Sequence, residues 1–176
     1  MKSLEPTAMA IASAHRRFFA AQQAALTCIA HTLAPAKHVR IATAYFEGSG
    51  FQVLQETLKG KLIRLLVGRQ EGGADSFRDV LREFVQELSY GPQEQRSRAM
   101  RQMLEALEQG WMTIAVGVPL SEEAPWMDAR YLYHHAKLYI ADERAVVVTS
   151  ANFSEHGLCR SREAGITITD PADVAY

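Results

Sequence analysis

The stretch His135-Ala136-Lys137-Leu138-Tyr139-Ile140-Ala141-Asp142, followed by Thr149-Ser150-Ala151-Asn152 and later by Glu163, gathers the residue types that phosphodiester chemistry needs. On an extended chain with a side-chain period of two, His135 and Lys137 share one face while His134 and Leu138 point the other way. Ser150 and Asn152 are also two apart, at the end of an apolar run, so both can face the same site. The non-bridging oxygens of a phosphodiester carry negative charge throughout its reaction, and Lys137 with the Asn152 amide can stabilise that charge without a metal. A neutral imidazole can attack phosphorus to give a covalent phosphohistidine, which splits one difficult displacement into two. The attacking nitrogen must be unprotonated, so a carboxylate gripping the other ring N–H would fix the tautomer; Glu163 and Asp142 are the candidates. The alkoxide leaving group needs a proton, and a second, protonated imidazole is its natural donor.

Taken singly, His135 would read as an ordinary structural histidine. The five-residue pattern decides otherwise. H-x-K-x4-D, then six residues, then a small residue and S-x-N, is filled without a gap by His135, Lys137, Asp142, Ser150 and Asn152. In this the chain resembles the phospholipase D superfamily, with the resemblance strongest over residues 133–168. Glu163, eleven residues past Asn152, stands where the single-motif nucleases of that family carry the carboxylate that orients the histidine. Thr149 departs from the usual Gly, and its side chain is expected to crowd the phosphate pocket slightly. The resemblance implies an α/β/α sandwich with a mixed central sheet, metal-independent chemistry without a cofactor, and an active site made from two copies of the motif. The chain holds one copy. A homodimer in which two His135 rings meet at a two-fold axis would supply the other, one ring as nucleophile and its mate as acid; the alternative is that the chain is half of a longer protein. Lys137, Asn152 and Ser150 are then the substrate-binding residues. Asp142 completes the motif but reads as structural more than as a direct participant.

The elements that must position these groups follow from periodicity. Apolar residues at Ile11, Phe18, Ala25 and Ile29 predict one amphipathic N-terminal helix over about residues 8–33, stopped by Pro35. Strands are expected at Val39–Phe46, Leu62–Val67, Trp111–Val118, Tyr131–Ile140, Ala145–Ser150 and Ala164–Thr169. Helices are expected at Phe51–Leu58, along the apolar stripe Phe77 to Leu88 behind a cap at Asp75 or Ser76, and from about Gln93 to Gln109. Gly72-Gly73 reads as a turn, Gly91-Pro92 as a break and Ser121–Ala129 as a loop, while Asp170 to Asp173 looks like the start of a further helix. With no internal repeat or linker, one domain over residues 1–176 is the expectation.

Composition bounds the function classes. The 176 residues are 48% hydrophobic and 22% charged, which excludes a wholly disordered or collagen-like chain. Nineteen Lys and Arg against 20 Asp and Glu leave a net charge of −1, so an anionic ligand must be held by a local cluster. Two cysteines, Cys28 and Cys159, make neither a disulfide framework nor a four-thiolate zinc site; they read as small apolar fillers in a reducing compartment. A metal site of His134, His135 and Asp142 is disfavoured because adjacent strand residues face opposite sides. Phe46 to Gly50 could offer N–H groups to a phosphate, although a plain strand-to-helix turn suits it better. Arg69, and the Arg96, Arg98 and Arg101 group among glutamates, read as solvated residues. The N-terminal stretch is broken by His15, Arg16 and Arg17 and lacks the apolar block of a signal peptide or spanning helix, so no stable membrane association is expected.

Three functions survive. One is a cytoplasmic nuclease cutting DNA or RNA, tied to restriction or defence. Another is a phospholipase or phosphatidyltransferase, which needs an exposed apolar rim that no segment announces. The last is a nucleic-acid-binding module without turnover, against which an intact His135 argues.

Overall fold

The structure, a computed structural model, describes residues 15–68, 94–116 and 135–174. In chain order it contains β1 (Arg16–Gln22), α1 (Ala24–Leu33), β2 (His38–Thr43), α2 (Gly48–Leu58), β3 (Leu62–Val67), α3 (Glu94–Glu108), β4 (Met112–Val116), β5 (Leu138–Ala141), β6 (Ala145–Thr149), a π-helical turn (His156–Arg160), β7 (Arg162–Ile168) and α4 (Pro171–Val174). The strands form one seven-stranded sheet in the order β1-β7-β6-β5-β2-β3-β4. Strands β2, β3 and β4 run parallel, because helical crossovers return the chain to the same end of the sheet, whereas the other neighbours are antiparallel. The result is a mixed α/β sheet.

Alternation along the strands shows which face is packed. Val39, Ile41 and Thr43 of β2 and Ile63, Leu65 and Val67 of β3 are buried, with His38, Arg40, Leu62, Arg64 and Leu66 exposed between them. Onto the buried face pack Ile29 and Leu33 of α1, Leu54 and Leu58 of α2, and Met100 and Met103 of α3, in one cluster with Tyr139 and Val147. Each such side chain removed from water contributes about 1.5–3 kcal/mol. The opposite face is different. Register puts Phe18 opposite Ile166, Ile166 opposite Val148 and Val148 opposite Leu138, and Phe18 and Val148 stand 69% and 38% exposed.

Several expected elements are found nearly where periodicity puts them. β3 spans the expected residues, α3 ends one residue short at each side, and Asp170-Pro171 does open a short helix. The N-terminal helix is the main correction. Residues 8–14 lie outside the described residues, Arg16–Gln22 is an edge strand paired with β7, and only Ala24–Leu33 is helical. Gln23, at φ 62°, separates the two. Apolar spacing fits either form here, and a tertiary partner outweighs helix propensities worth a few tenths of a kcal/mol per residue. That partner is the seven-residue ladder to β7, over which the Phe19 ring lies against Gly165. The second correction concerns Tyr131–Ile140. Regular pairing begins only at Leu138, with His135, Ala136 and Lys137 extending irregularly before it. Residues 131–134, the Gly72-Gly73 turn, the Phe77–Leu88 stripe with its cap, Gly91-Pro92, Arg69 and the Ser121–Ala129 loop lie outside the described residues.

The turn between β5 and β6 is joined to β2 by Asp142. Its carboxylate accepts the N–H groups of Lys37, at 2.9 and 3.1 Å, and His38, at 2.7 Å, and its own N–H donates to the His38 carbonyl at 3.0 Å. Asp142 and Glu143 both adopt positive φ, 47° and 58°, which a short polar aspartate tolerates well. The exposed Arg40–Glu143 ion pair beside it adds little.

Two expectations follow. Gly165→Ala would place a Cβ 2.5 Å from the Phe19 ring and from the Val148 carbonyl oxygen, so the variant should lose about 1–3 kcal/mol by overpacking in urea unfolding; an unchanged midpoint would contradict the β1–β7 contact. The His38 and Lys37 N–H groups hold the Asp142 carboxyl below its ordinary range. A depressed native value means that its stabilisation is complete above about pH 4, the unfolded carboxylate value, and fades as pH falls through the native one. Asp142→Ala should therefore cost about 1–2 kcal/mol at neutral pH, with the gap to wild type closing in acid; a gap that persists in acid would refute the account.

Candidate active site

The site forms where four strands meet one end of the sheet. Lys137 continues the β5 ladder one residue beyond its regular start, its carbonyl accepting the Thr149 N–H at 3.1 Å. This carries its side chain into the packed layer, where Lys137 is the one buried charged residue among the described residues. The ammonium lies 2.8 Å from Nδ1 and 3.0 Å from Nε2 of His135 and donates to the His135 carbonyl at 3.0 Å. The ring itself is exposed. Burial pushes the Lys137 ammonium below its ordinary pKa, and the Glu163 charge pulls it back up. Histidine and lysine thus meet at the start of β5, with the charge of Glu163 on β7 near enough to act on the lysine.

At the end of β6 the chain turns across β7. Ser150 donates its N–H to the Ala164 carbonyl at 3.0 Å, its hydroxyl accepts the Ala164 N–H at 3.2 Å, and the hydroxyl proton goes to the Glu163 carboxylate in a short contact. Thr149 fits the same seam, donating to the Ala164 carbonyl at 2.9 Å and accepting the Ala151 N–H at 3.2 Å. The residue that departs from the family pattern thus joins β6 to β7.

Asn152 reaches a different partner from Ser150. Its Oδ1 accepts the Tyr45 N–H at 3.2 Å, which ties it to the end of β2. A backbone N–H can only donate, so the amide orientation is assigned and its NH2 is the end left for an anion. Beneath the loop, the buried Tyr139 hydroxyl donates to the Ala151 carbonyl at 3.1 Å, and the Phe153 ring stacks on Phe46 with centroids 5.6 Å apart. Burial drives the Tyr139 phenol far above its ordinary pKa, so it stays a neutral donor.

Asp142 is not in this assembly. It sits past the opposite end of β5 with its carboxylate taken by backbone N–H groups, whereas the Glu163 carboxylate, held by the Ser150 hydroxyl, lies at the same end of the sheet as Lys137. The Phe46–Gly50 segment is a strand-to-helix turn. The Glu47 N–H goes to the Phe153 carbonyl and the Gly50 N–H to the Glu47 carbonyl, both at 3.0 Å, while the Glu47 carboxylate accepts the Tyr45 and Ser49 hydroxyls. Arg98 and Arg101 are on exposed positions of α3. Met100 and Met103 are core, Trp111 is half exposed, and burial pushes the Cys28 and Cys159 thiols above their ordinary pKa. His134 lies outside the described residues, among which no cluster of three or more His, Cys, Asp and Glu is placed to hold a metal.

Periodicity had no means of finding two features. Thr43, fully buried at the end of β2, is a polar residue in an apolar run, and that break in pattern was its only signal. An open apolar groove of about 570 Å³, lined by Phe18, Phe19, Val148 and Ile166, adjoins the Thr149 and Ala164 seam. It depends on β1 being a strand. Among the described residues, no helix is long and apolar enough to cross a membrane.

Solved structures share this fold. NucT from Helicobacter pylori matches with a TM-score of 0.55 at 14% identity, over 91% of this chain and 88% of its own. Nuc from Salmonella typhimurium, a phospholipase D family member, matches with a TM-score of 0.51 at 13% identity and the same coverage. Phosphatidylserine synthase from Haemophilus influenzae gives 0.54 at 17% identity, over 90% of this chain but 35% of that one. No curated protein matches the chain in sequence. Residues 29–176 match the family model described as "Cardiolipin synthase, PLD-like domain", a match that takes in every residue of the site. The chain therefore belongs to the PLD-like domain family of the phospholipase D superfamily, and that membership supports a phosphodiester-acting enzyme.

Proposed function

We propose that the protein is a metal-independent nuclease that cleaves DNA or RNA through a phosphohistidine on His135, at a site completed by a second copy of the chain. The observation that carries this reading is the convergence of the His135 ring, the Lys137 ammonium and the Ser150–Glu163 pair at one end of the sheet. Phosphate oxygens compete with the imidazole for the Lys137 ammonium, which frees a ring nitrogen to attack. The new N–P bond expels an alkoxide, which takes its proton from His135 of the partner subunit acting as acid. Water then attacks phosphorus, giving its proton back to that imidazole and breaking the N–P bond. Glu163 orients and balances the charged histidine, while Lys137 and the Asn152 NH2 hold the phosphate oxygens. Likeness to NucT and Nuc supports the nuclease over a lipid enzyme. Its span matches most of NucT and Nuc but about a third of phosphatidylserine synthase.

A second reading has one observation in its favour. The apolar groove at the Thr149 and Ala164 seam, with Phe18 69% exposed, is apolar surface of the kind a phospholipid's acyl chains would require, although it lies on the sheet face opposite Lys137. A cytoplasmic place, in a restriction or defence assembly, goes with the first reading alone.

The two readings separate when the protein is incubated with single- and double-stranded DNA, RNA and phosphatidylcholine vesicles, all in excess chelator. Nucleic acid should be cut and the vesicles left intact, and His135→Ala should lower the rate by three orders of magnitude or more. Loss of cutting with chelator, full activity in His135→Ala, or hydrolysis confined to lipid would each overturn the proposal. Light scattering should show a dimer; an active strict monomer would refute the shared site.

A further inference from the structure

The buried hydroxyl of Thr43 makes more bonds than the fold of β2 requires. It donates to the Tyr45 carbonyl at 2.7 Å and accepts the Phe153 N–H at 3.0 Å. A hydroxyl carries one proton, so the Asn152 Oδ1 at 3.4 Å is a neighbour and not a second acceptor. It thus joins backbone on both sides of the amide. Tyr45 supplies the N–H that Oδ1 accepts, and Phe153 follows Asn152 in the chain. Both backbones are also held from outside. A Cβ on Gly50 of α2 would come within 2.6 Å of the Phe153 carbonyl, and one on Gly157 of the π-helical turn within 2.7 Å of the Asn152 carbonyl. Backbone is thus packed against the loop on two sides, and Thr43, with Asn152 itself, links it to the end of β2.

We propose that Thr43 is a positioning residue for Asn152, fixing the direction of its NH2 before substrate arrives. Asn152 offers one polar end to Tyr45 and the other to an anion, so a shift of either peptide swings the amide away from the phosphate. The cost falls in the transition state, where charge on the phosphoryl oxygens peaks, and little in ground-state binding, which the Lys137 ammonium dominates. This rests on the reading of Asn152 as a phosphate-binding amide.

Thr43→Val keeps the shape and removes the hydroxyl, Thr43→Ser keeps the hydroxyl, and Thr43→Cys replaces the valine variant if that fails to fold. With bis(4-nitrophenyl) phosphate as substrate, Thr43→Val should lower kcat tenfold or more with KM within twofold. Thr43→Ser should restore kcat to within threefold, and Thr43→Val should add less than twofold to the loss in Asn152→Ala. A folded Thr43→Val enzyme with kcat within twofold of wild type, or a loss that multiplies in full on Asn152→Ala, overturns the proposal. NMR tests it independently of turnover. The Tyr45 backbone N–H, which donates to Asn152 Oδ1 and is recognised by its faster exchange in Asn152→Ala, should exchange slowly with water in wild type and at least tenfold faster in Thr43→Val. Equal exchange rates overturn the positioning role even if wild type hydrolyses the substrate. Absent turnover with the expected exchange difference overturns only the phosphodiesterase reading.

Discussion

A lysine ammonium carried into the packed layer must be given acceptors, and the candidate site is built around that requirement. Lys137 is buried by its place one residue beyond the start of β5. An isolated charge there would be costly, and the chain meets the need with the His135 ring and carbonyl and with the charge of Glu163. The same groups are those a phosphoryl oxygen would approach. In the proposed nuclease an anionic substrate would enter a place already organised around a cation.

Backbone pairing does the rest of the positioning. Thr149 and Ser150 close the seam between β6 and β7 through the Ala164 peptide, which sets the hydroxyl of Ser150 on Glu163. Asn152 is taken in the other direction, toward the end of β2, by the Tyr45 N–H. Ser150 and Asn152 therefore serve separate halves of the site although they are two apart in the chain. The irregular backbone after β6 uncouples them, where a continued strand would have pointed both the same way.

The edge strand β1 shows how a tertiary partner can decide a segment whose local pattern is ambiguous. Its ladder with β7 needs the close approach of Phe19 to Gly165, and in return it lays Phe18 on the exposed face beside Val148 and Ile166. That apolar surface, on the sheet face opposite Lys137, is what keeps a lipid substrate in contention. Read as one helix, the same residues would have hidden it.

The spacing of His135, Lys137, Ser150, Asn152 and Glu163, and the strand–helix alternation around β2, β3 and α3, were legible from residue order alone, because covalent spacing and burial periodicity are local properties. So was the structural character of Asp142, although not its task of fastening the β5–β6 turn to β2. Where β5 begins, whether Arg16–Gln22 coils or extends, and the role of Thr43 all needed the tertiary structure. Each depends on which hydrogen-bond partner arrives from a distant part of the chain, over a hundred residues away for Thr43 and Phe153, and that choice is made by the assembled sheet.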